Sequence, residues 1–377
     1  MAGIYIHIPF CKTRCIYCDF YSTTRSEMKE RYILALCREL EMRQDYLQNK
    51  PVETIYFGGG TPSQLSAVDF ERIFATIDRL FGREHCREIT LEANPDDLTP
   101  EYLHSLSHLP FNRISMGIQT FNDTTLKLLK RRHTALQAIQ AVAACRQAGF
   151  QNISIDLIYG LPGETLERWK NDLQQAIALD VEHISAYHLI YEEGTPLYIM
   201  CKNHQVEEVD EESSVDFFSL LIDQLTEAGY EQYEISNFCR PGKLSQHNTS
   251  YWQGTKYLGC GPSAHSFDGD SREWNSSSID AYVEGINQGM RVFETEQRYE
   301  ATRYNEFILT SLRTVWGISL NQLQSTFNDK LYHYCLRIAD KHLQSGTLEL
   351  RNNALCLSRK GIFVSDGIMS DLLWVED

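Results

Sequence analysis

Ile4-Tyr-Ile-His-Ile8-Pro-Phe-Cys11-Lys-Thr-Arg-Cys15-Ile-Tyr-Cys18 decides the reading of this chain. An apolar run with β-branched residues ends at Ile8, and three cysteines follow in the spacing C-x3-C-x2-C. A tight loop after a strand can aim three thiolates at one centre. Sulfur ligation of that kind points to zinc or to an iron–sulfur cluster. A structural zinc site takes four protein ligands, usually as two closely spaced pairs. No second pair exists: Cys37, Cys86, Cys145, Cys201, Cys239, Cys260, Cys335 and Cys356 are scattered. A [4Fe–4S] cube on three thiolates leaves one iron open for a ligand. Three unrelated buried cysteines are the bland reading, and the spacing argues against it.

Outward from this stretch, short apolar runs alternate with amphipathic ones. Strands are predicted at Ile4–Ile8, Thr54–Phe57, Ile89–Ala93, Arg113–Ile118, Ile153–Ile158 and His183–Tyr187. Helical segments lie between them, near 26–48, 63–80, 100–107, 134–148 and 164–179. Strand then helix, repeated, predicts an α/β fold with a parallel sheet and right-handed crossovers. Six units predict a partial (β/α)6 TIM-like barrel over 1–230, with a doubly wound sheet as the alternative. The predicted strands end in Cys11, Gly58–Gly60, Glu92 and Asn94, Gln119, Asp156, and Tyr187-His188. The carboxyl rim is where such sheets bind ligands.

Residues 231–290 read as an irregular bridging segment, rich in Gly, Ser, Asn and aromatics over 230–275. Residues 291–377 read as helices followed by a hairpin around Asn352-Asn353, a small winged-helix-like α+β domain. A DNA-reading version would be basic. This one carries 10 Lys+Arg against 11 Asp+Glu, which favours packing or partner docking.

The 377 residues are 42% hydrophobic and 23% charged, an ordinary globular balance. A formal net charge of −16 makes the chain a poor non-specific partner for nucleic acid or an anionic membrane. No run approaches the ~18 apolar residues of a membrane span. The amino-terminal stretch lacks a basic n-region and a small-residue cleavage site, so a cytoplasmic protein is expected. The odd number of cysteines, 11, then favours metal binding over disulfides.

The motif set resembles the radical S-adenosylmethionine (SAM) superfamily. Ile8-Pro-Phe-Cys11, Tyr17-Cys18-Asp19-Phe20, Gly58-Gly-Gly-Thr-Pro62, Gly117-Ile-Gln-Thr-Phe121 and Ile155-Asp-Leu-Ile-Tyr-Gly-Leu-Pro162 are similar to the HemN-like group of oxygen-independent coproporphyrinogen oxidases. The resemblance covers nearly the whole chain. It implies that Cys11, Cys15 and Cys18 hold a [4Fe–4S] cluster whose open iron binds SAM, the source of a 5′-deoxyadenosyl radical on reduction. It also implies that Gly59, Gly60 and Thr61 lie against methionine, while Glu92, Gln119, Arg131 and Asp156 hold ribose, ammonium and carboxylate groups. Tyr5, Tyr17 and Ile190 match weaker cofactor contacts. Arg132 and His133 follow Arg131 directly, so the register there stays open.

Three departures separate the chain from a working oxidase. Phe20 stands where that group has a fourth cysteine, no extension precedes the cluster loop, and His247-Asn248-Thr-Ser-Tyr251-Trp252 matches the H-N-x-x-Y-W motif of the haem-chaperone branch, HemW. Histidine is a common axial ligand, and aromatic rings pack on a flat macrocycle. Composition alone favours plain packing for such a segment; the resemblance implies haem at His247, Asn248, Tyr251 and Trp252. His247 is the preferred iron ligand, with His265, His133 and Cys260 as competitors.

The expected function is haem binding and delivery to a haem protein, respiratory by preference, with peripheral rather than transmembrane contact. Whether the chain is also an enzyme stays open. The alternatives are conversion of coproporphyrinogen III to protoporphyrinogen IX, and radical cleavage or methylation of a tetrapyrrole. Gly259-Cys-Gly261-Pro-Ser-Ala264 satisfies G-x-G-x-x-A. Pro262 and a turn-like sequel argue against a dinucleotide fingerprint. It reads as a glycine-rich turn on the porphyrin side of the pocket.

Overall fold

The computed structural model describes residues 2–375. Six strands come first: β1 (Ala2–Ile8), β2 (Val52–Gly59), β3 (Glu88–Ala93), β4 (Arg113–Gln119), β5 (Ile153–Tyr159) and β6 (His183–His188). Helices α1 (Lys29–Met42), α2 (Ala67–Phe81), α3 (Pro100–Ser105), α4 (Asp123–Leu128), α5 (Ala135–Gln147) and α6 (Leu166–Ala178) alternate with them. Local chemistry sets several starts. Ser66 with Asp69, and Thr134 with Gln137, form capping boxes at α2 and α5. The short α4, capped by Asn122, is the one helix of this half that the sequence pattern did not predict.

Strands β1 to β6 are sheet neighbours in chain order, and every pair is parallel. A doubly wound sheet reverses direction at a switch point. The unbroken order here is that of the partial barrel. Period-2 alternation sorts the residues between the two faces of this sheet. The outward residues are aliphatic or aromatic and pack under the helices: Ile4 and Ile6, Ile55 and Phe57, Ile114 and Met116, Ile153 and Ile155 are all fully buried. The inward ones are polar or small: Tyr5, Tyr56, Glu92, Arg113, Ser115, Gly117, Asp156 and Ser185 all face one internal cavity.

Helices α7 (Pro196–Lys202) and α8 (Glu211–Glu227) lead to the segment read as irregular, which carries strands at both sheet edges. There β7 (Glu231–Glu234) and β8 (Asn237–Cys239) extend the β6 edge antiparallel. After α9 (Gln246–Trp252), β9 (Lys256–Cys260) pairs parallel with β1 on its other side, Tyr5 opposite Gly259. Strands β10 (His265–Phe267) and β11 (Ser271–Asn275), then α10 (Ile279–Asn287) and β12 (Phe293–Gln297), complete a 12-stranded sheet. Gly259 and Gly261 sit at the β9–β10 junction, where a strand rather than a helix follows. A Cβ on Gly259 would strike the His265 carbonyl, so these glycines serve a close backbone approach. That turn does not line the cavity.

The last part runs α11 (Glu300–Leu312), β13 (Ile318–Ser319), α12 (Leu320–Thr326), α13 (Asp329–Gln344), β14 (Leu348–Arg351) and β15 (Ala354–Leu357), followed by α14 (Arg359–Ile362) and α15 (Ser365–Leu372). Asn352 and Asn353 both take positive φ in the predicted hairpin turn. Tyr304, Ile308, Leu323, Cys335 and Ile368 form a separate small core. Among the described residues, no helix is long and apolar enough to cross a membrane.

Candidate functional site

The barrel encloses a cavity of about 620 Å³ that opens at the carboxyl rim, a volume ordinary for a cofactor site. All the residues expected at the site line it except Trp252.

The cysteine loop leaves β1 at Pro9 and is tied down twice: Cys11 N–H donates to Thr23 O (2.9 Å) and Thr23 N–H to Pro9 O (2.7 Å). It rests on the glycine run after β2. Gly60 N–H donates to Ile8 O (2.8 Å), and a Cβ at Gly60 would lie 2.8 Å from Ile8 O and the Pro9 carbonyl carbon. Gly59 has φ +104° and packs on the His7 ring. Glycine is required at both positions so that the two loops can touch. The Thr61 hydroxyl lies 3.3 Å from Cys11 Sγ.

Of the three adjacent residues Arg131, Arg132 and His133, Arg131 is the one that lines the cavity. Its Nη1 donates to Cys15 Sγ (3.5 Å), and its Nη2 to Asn94 Oδ1 (2.8 Å) and Gly117 O (2.5 Å). Arg132 instead pairs with Asp96 (2.8 Å) and Asp97 (3.0 Å), and His133 is buried against Ile118 O. Asp97 also accepts from Lys12, Ser63 and Gln64, which clamps the cysteine loop to the loops after β2 and β3.

Glu92 accepts from Tyr56 OH (2.7 Å) and Gly59 N–H (3.2 Å), and burial pushes its carboxyl up to about 7. Burial likewise pushes Asp156 up to about 6. Gln119 takes φ +72° at a bulge in the β4–β5 register, which turns its side chain into the cavity. Ile190 stands 64% exposed at the mouth, beside Tyr187 and the equally exposed Phe20.

Helix α9 forms part of the opposite wall. The Glu88 carboxylate accepts from Gln246 N–H and His247 N–H (both 2.9 Å), and Ser245 caps the helix. His247 stacks on Tyr56 at 5.1 Å, and Tyr56 on Tyr5 at 6.2 Å. Both His247 ring nitrogens are engaged, Nδ1 with Thr54 Oγ1 (2.8 Å) and Nε2 with Tyr251 OH (2.7 Å). Burial holds the ring down at about 3, hence neutral. To bind iron it must give up one of these bonds. Trp252 lies outside the cavity, with the Arg313 guanidinium 5.3 Å above its ring. Of the competing ligands, His265 stacks on Trp274 and Cys260 is buried; with His133, they lie outside the lining.

Three comparisons with known proteins bear on this site. A Radical SAM superfamily profile matches residues 5–176, and a HemN C-terminal domain profile matches residues 300–364. A protein described as Heme chaperone HemW from Mycobacterium tuberculosis is 32% identical over 381 residues, covering 98% of this chain and 94% of that one. Its counterpart from Bacillus subtilis is 31% identical over 376 residues, covering 99% of each. The chain belongs to the HemW family of radical SAM proteins. Among solved structures, coproporphyrinogen III oxidase (HemN) from Escherichia coli superposes with a TM-score of 0.85 at 22% identity, covering 99% of this chain and 90% of that one, which establishes the shared fold.

Membership of this superfamily implies a [4Fe–4S] cluster and SAM. The residues present fit both. Of the eleven cysteines, all free, only Cys11, Cys15 and Cys18 line the cavity. Among the described residues no three His, Cys, Asp or Glu side chains close on one point as a single-ion site demands. A cubane makes no such demand, since each thiolate binds its own iron. For SAM, the buried Nε of Arg131 is still unpartnered, and the Gly59–Gly60 surface is one that any Cβ would fill.

The sequence reading missed Tyr56, Arg113, Ser115, Thr54 and Glu88. The first three sit on the inward alternation of β2 and β4, a signal readable in Arg113-Ile-Ser-Met-Gly-Ile-Gln119 had polarity been counted by face.

Proposed function

We propose that this chain binds haem in the barrel cavity and delivers it to haem-requiring proteins, with the cluster on Cys11, Cys15 and Cys18 and SAM at the carboxyl rim. The carrying observation is the placement of the His247–Tyr251 segment. The sequence pattern it shares with the haem-chaperone branch forms one wall of the cavity that the three cysteines close at the other end. Relatives covering 94–99% of their own length are described as haem chaperones, which supports the same reading. When bound, the cluster and SAM supply one-electron chemistry; the protein positions them. Arg131 and Thr61 orient the cysteine loop, Gly59 and Gly60 admit the methionine end, and Glu92, Gln119 and Asp156 offer the ribose and ammonium their acceptors. Tyr5, Tyr17 and Ile190 complete those contacts, and Asn248 and Tyr251 contribute to the haem wall.

The proposal places the protein in the cytoplasm, with residues 291–377 as a docking unit for an acceptor haem protein. Anaerobic haem titration of the cluster-loaded protein is expected to give a saturable Soret shift that weakens in His247→Ala. Incubation with coproporphyrinogen III, SAM and a reductant is expected to give no protoporphyrinogen IX. Turnover in that assay, or the absence of a saturable shift, overturns the carrier reading.

A further inference from the structure

Arg113 opens β4 at the end of the barrel remote from the cluster loop, and its side chain points inward. It is 1% exposed, lines the cavity, and carries buried, unpartnered Nε and Nη1 groups among the described residues. No carboxylate lies within ion-pair distance of it among the described residues, although Glu92 and Asp156 share the cavity. An unpaired buried guanidinium is costly, and each orphaned N–H forfeits a hydrogen bond. The fork of donors matches a carboxylate. Directly opposite in register, Thr90 Oγ1 is buried and unpartnered too.

The position selects among anions. Residue 113 is six residues from the rim residue Gln119, roughly 20 Å along a strand. SAM carries its one carboxylate on the methionine end, which belongs at the cluster side with Arg131. The wall near Arg113 is a row of rings, Tyr5, Tyr56 and His247, stacked at 24–25° to one another. A flat aromatic ligand with an acidic edge satisfies both the rings and the guanidinium.

We infer that Arg113 is an anion receptor at the cavity floor that takes a carboxylate of the tetrapyrrole. This rests on the haem reading above and adds to it the end of the ligand that enters first. It assigns the propionate edge to the barrel floor.

The test compares haem with its dimethyl ester, in which both carboxylates are masked. Cluster-loaded full-length protein is titrated with each by Soret absorbance, for wild type, Arg113→Met and Arg113→Lys. Wild type is expected to favour haem over the ester by on the order of tenfold or more, the worth of a charge-assisted bond. Arg113→Met is expected to lose that preference while its ester affinity stays at the wild-type level, and Arg113→Lys to regain part of it. A wild-type haem-to-ester ratio near one overturns the inference without any variant, so a folding failure of Arg113→Met does not protect it. An unchanged preference in a folded Arg113→Met also overturns it, leaving the guanidinium as a counter-ion to Glu92 and Asp156 or a host for buried water. Saturable haem binding with no discrimination defeats only the Arg113 assignment. No saturable binding of either ligand by wild type defeats the haem reading with it.

Discussion

Single side chains in the cavity carry legible energetics. Glu92 ordinarily titrates near 4.5 and is pushed to about 7 by burial. The folded chain therefore holds this proton more tightly than the unfolded chain. Its contribution favours folding below about pH 4.5 and is lost as pH rises through 7. Glu92→Gln removes the cost of ionising there. In protein free of cofactors, its melting temperature is expected to gain on wild type steadily from pH 5 to pH 8; a flat difference across that range counts against the assignment. How much of this was readable beforehand differs by residue. That Cys11, Cys15 and Cys18 gather at one cavity rim was legible from their spacing alone. Glu92 and Asp156 were legible only through resemblance, since a carboxylate at a strand end is usually a turn residue. The hydrogen bonds that occupy both nitrogens of His247 were not readable, because Thr54 comes from a strand almost 200 positions away. Nothing local in the segment announces that contact.

At the scale of elements, α9 shows how a seven-residue helix is fixed. A helix this short is marginal alone. Here Glu88, the first residue of β3 and 2% exposed, places its carboxylate on two amides of the first turn. Glu88→Gln is expected to cost about 1–3 kcal/mol by urea unfolding, the worth of charged hydrogen bonds in a buried setting. It should also weaken haem affinity by releasing the His247 wall, and unchanged affinity alongside lost stability would confine Glu88 to a structural role. The six inner strands were readable from short apolar runs of the right length. The outer ones were not. Strands β8 to β11 are short, each contains Gly, Ser or Asn, and the set is anchored on the inner sheet only through β8 on β6 and β9 on β1. Pairing of that range overrides weak local propensity.

On the scale of the whole molecule, the small C-terminal core meets the β7 edge at a buried carboxylate, flanked by backbone bonds from Ile235 N–H to Arg313 O (3.0 Å) and from Val315 N–H to Tyr233 O (3.1 Å). Arg313, just after α11, donates from Nε (3.1 Å) and Nη2 (2.8 Å) to Glu234 Oε1 in β7, and its guanidinium also covers Trp252. The carboxylate is 1% exposed and the guanidinium 34%. Arg313→Ala leaves Glu234 buried and short of its counter-charge. The expected loss is roughly 1–3 kcal/mol, discounted from a fully buried pair because the arginine is partly wet. Calorimetry should then show the C-terminal part melting ahead of the sheet; a single unshifted transition would argue that the backbone bonds and the Arg272–Glu306 and Arg359–Asp223 pairs hold the junction without it. The sheet order carries a consequence for biosynthesis. Residue 5 lies opposite residue 259, so the strand that precedes the cysteine loop gains its second neighbour only after most of the chain has been translated. At ordinary elongation rates that delay is on the order of 10–50 s. Throughout that interval the nascent thiols stand on a half-supported strand at the ribosome.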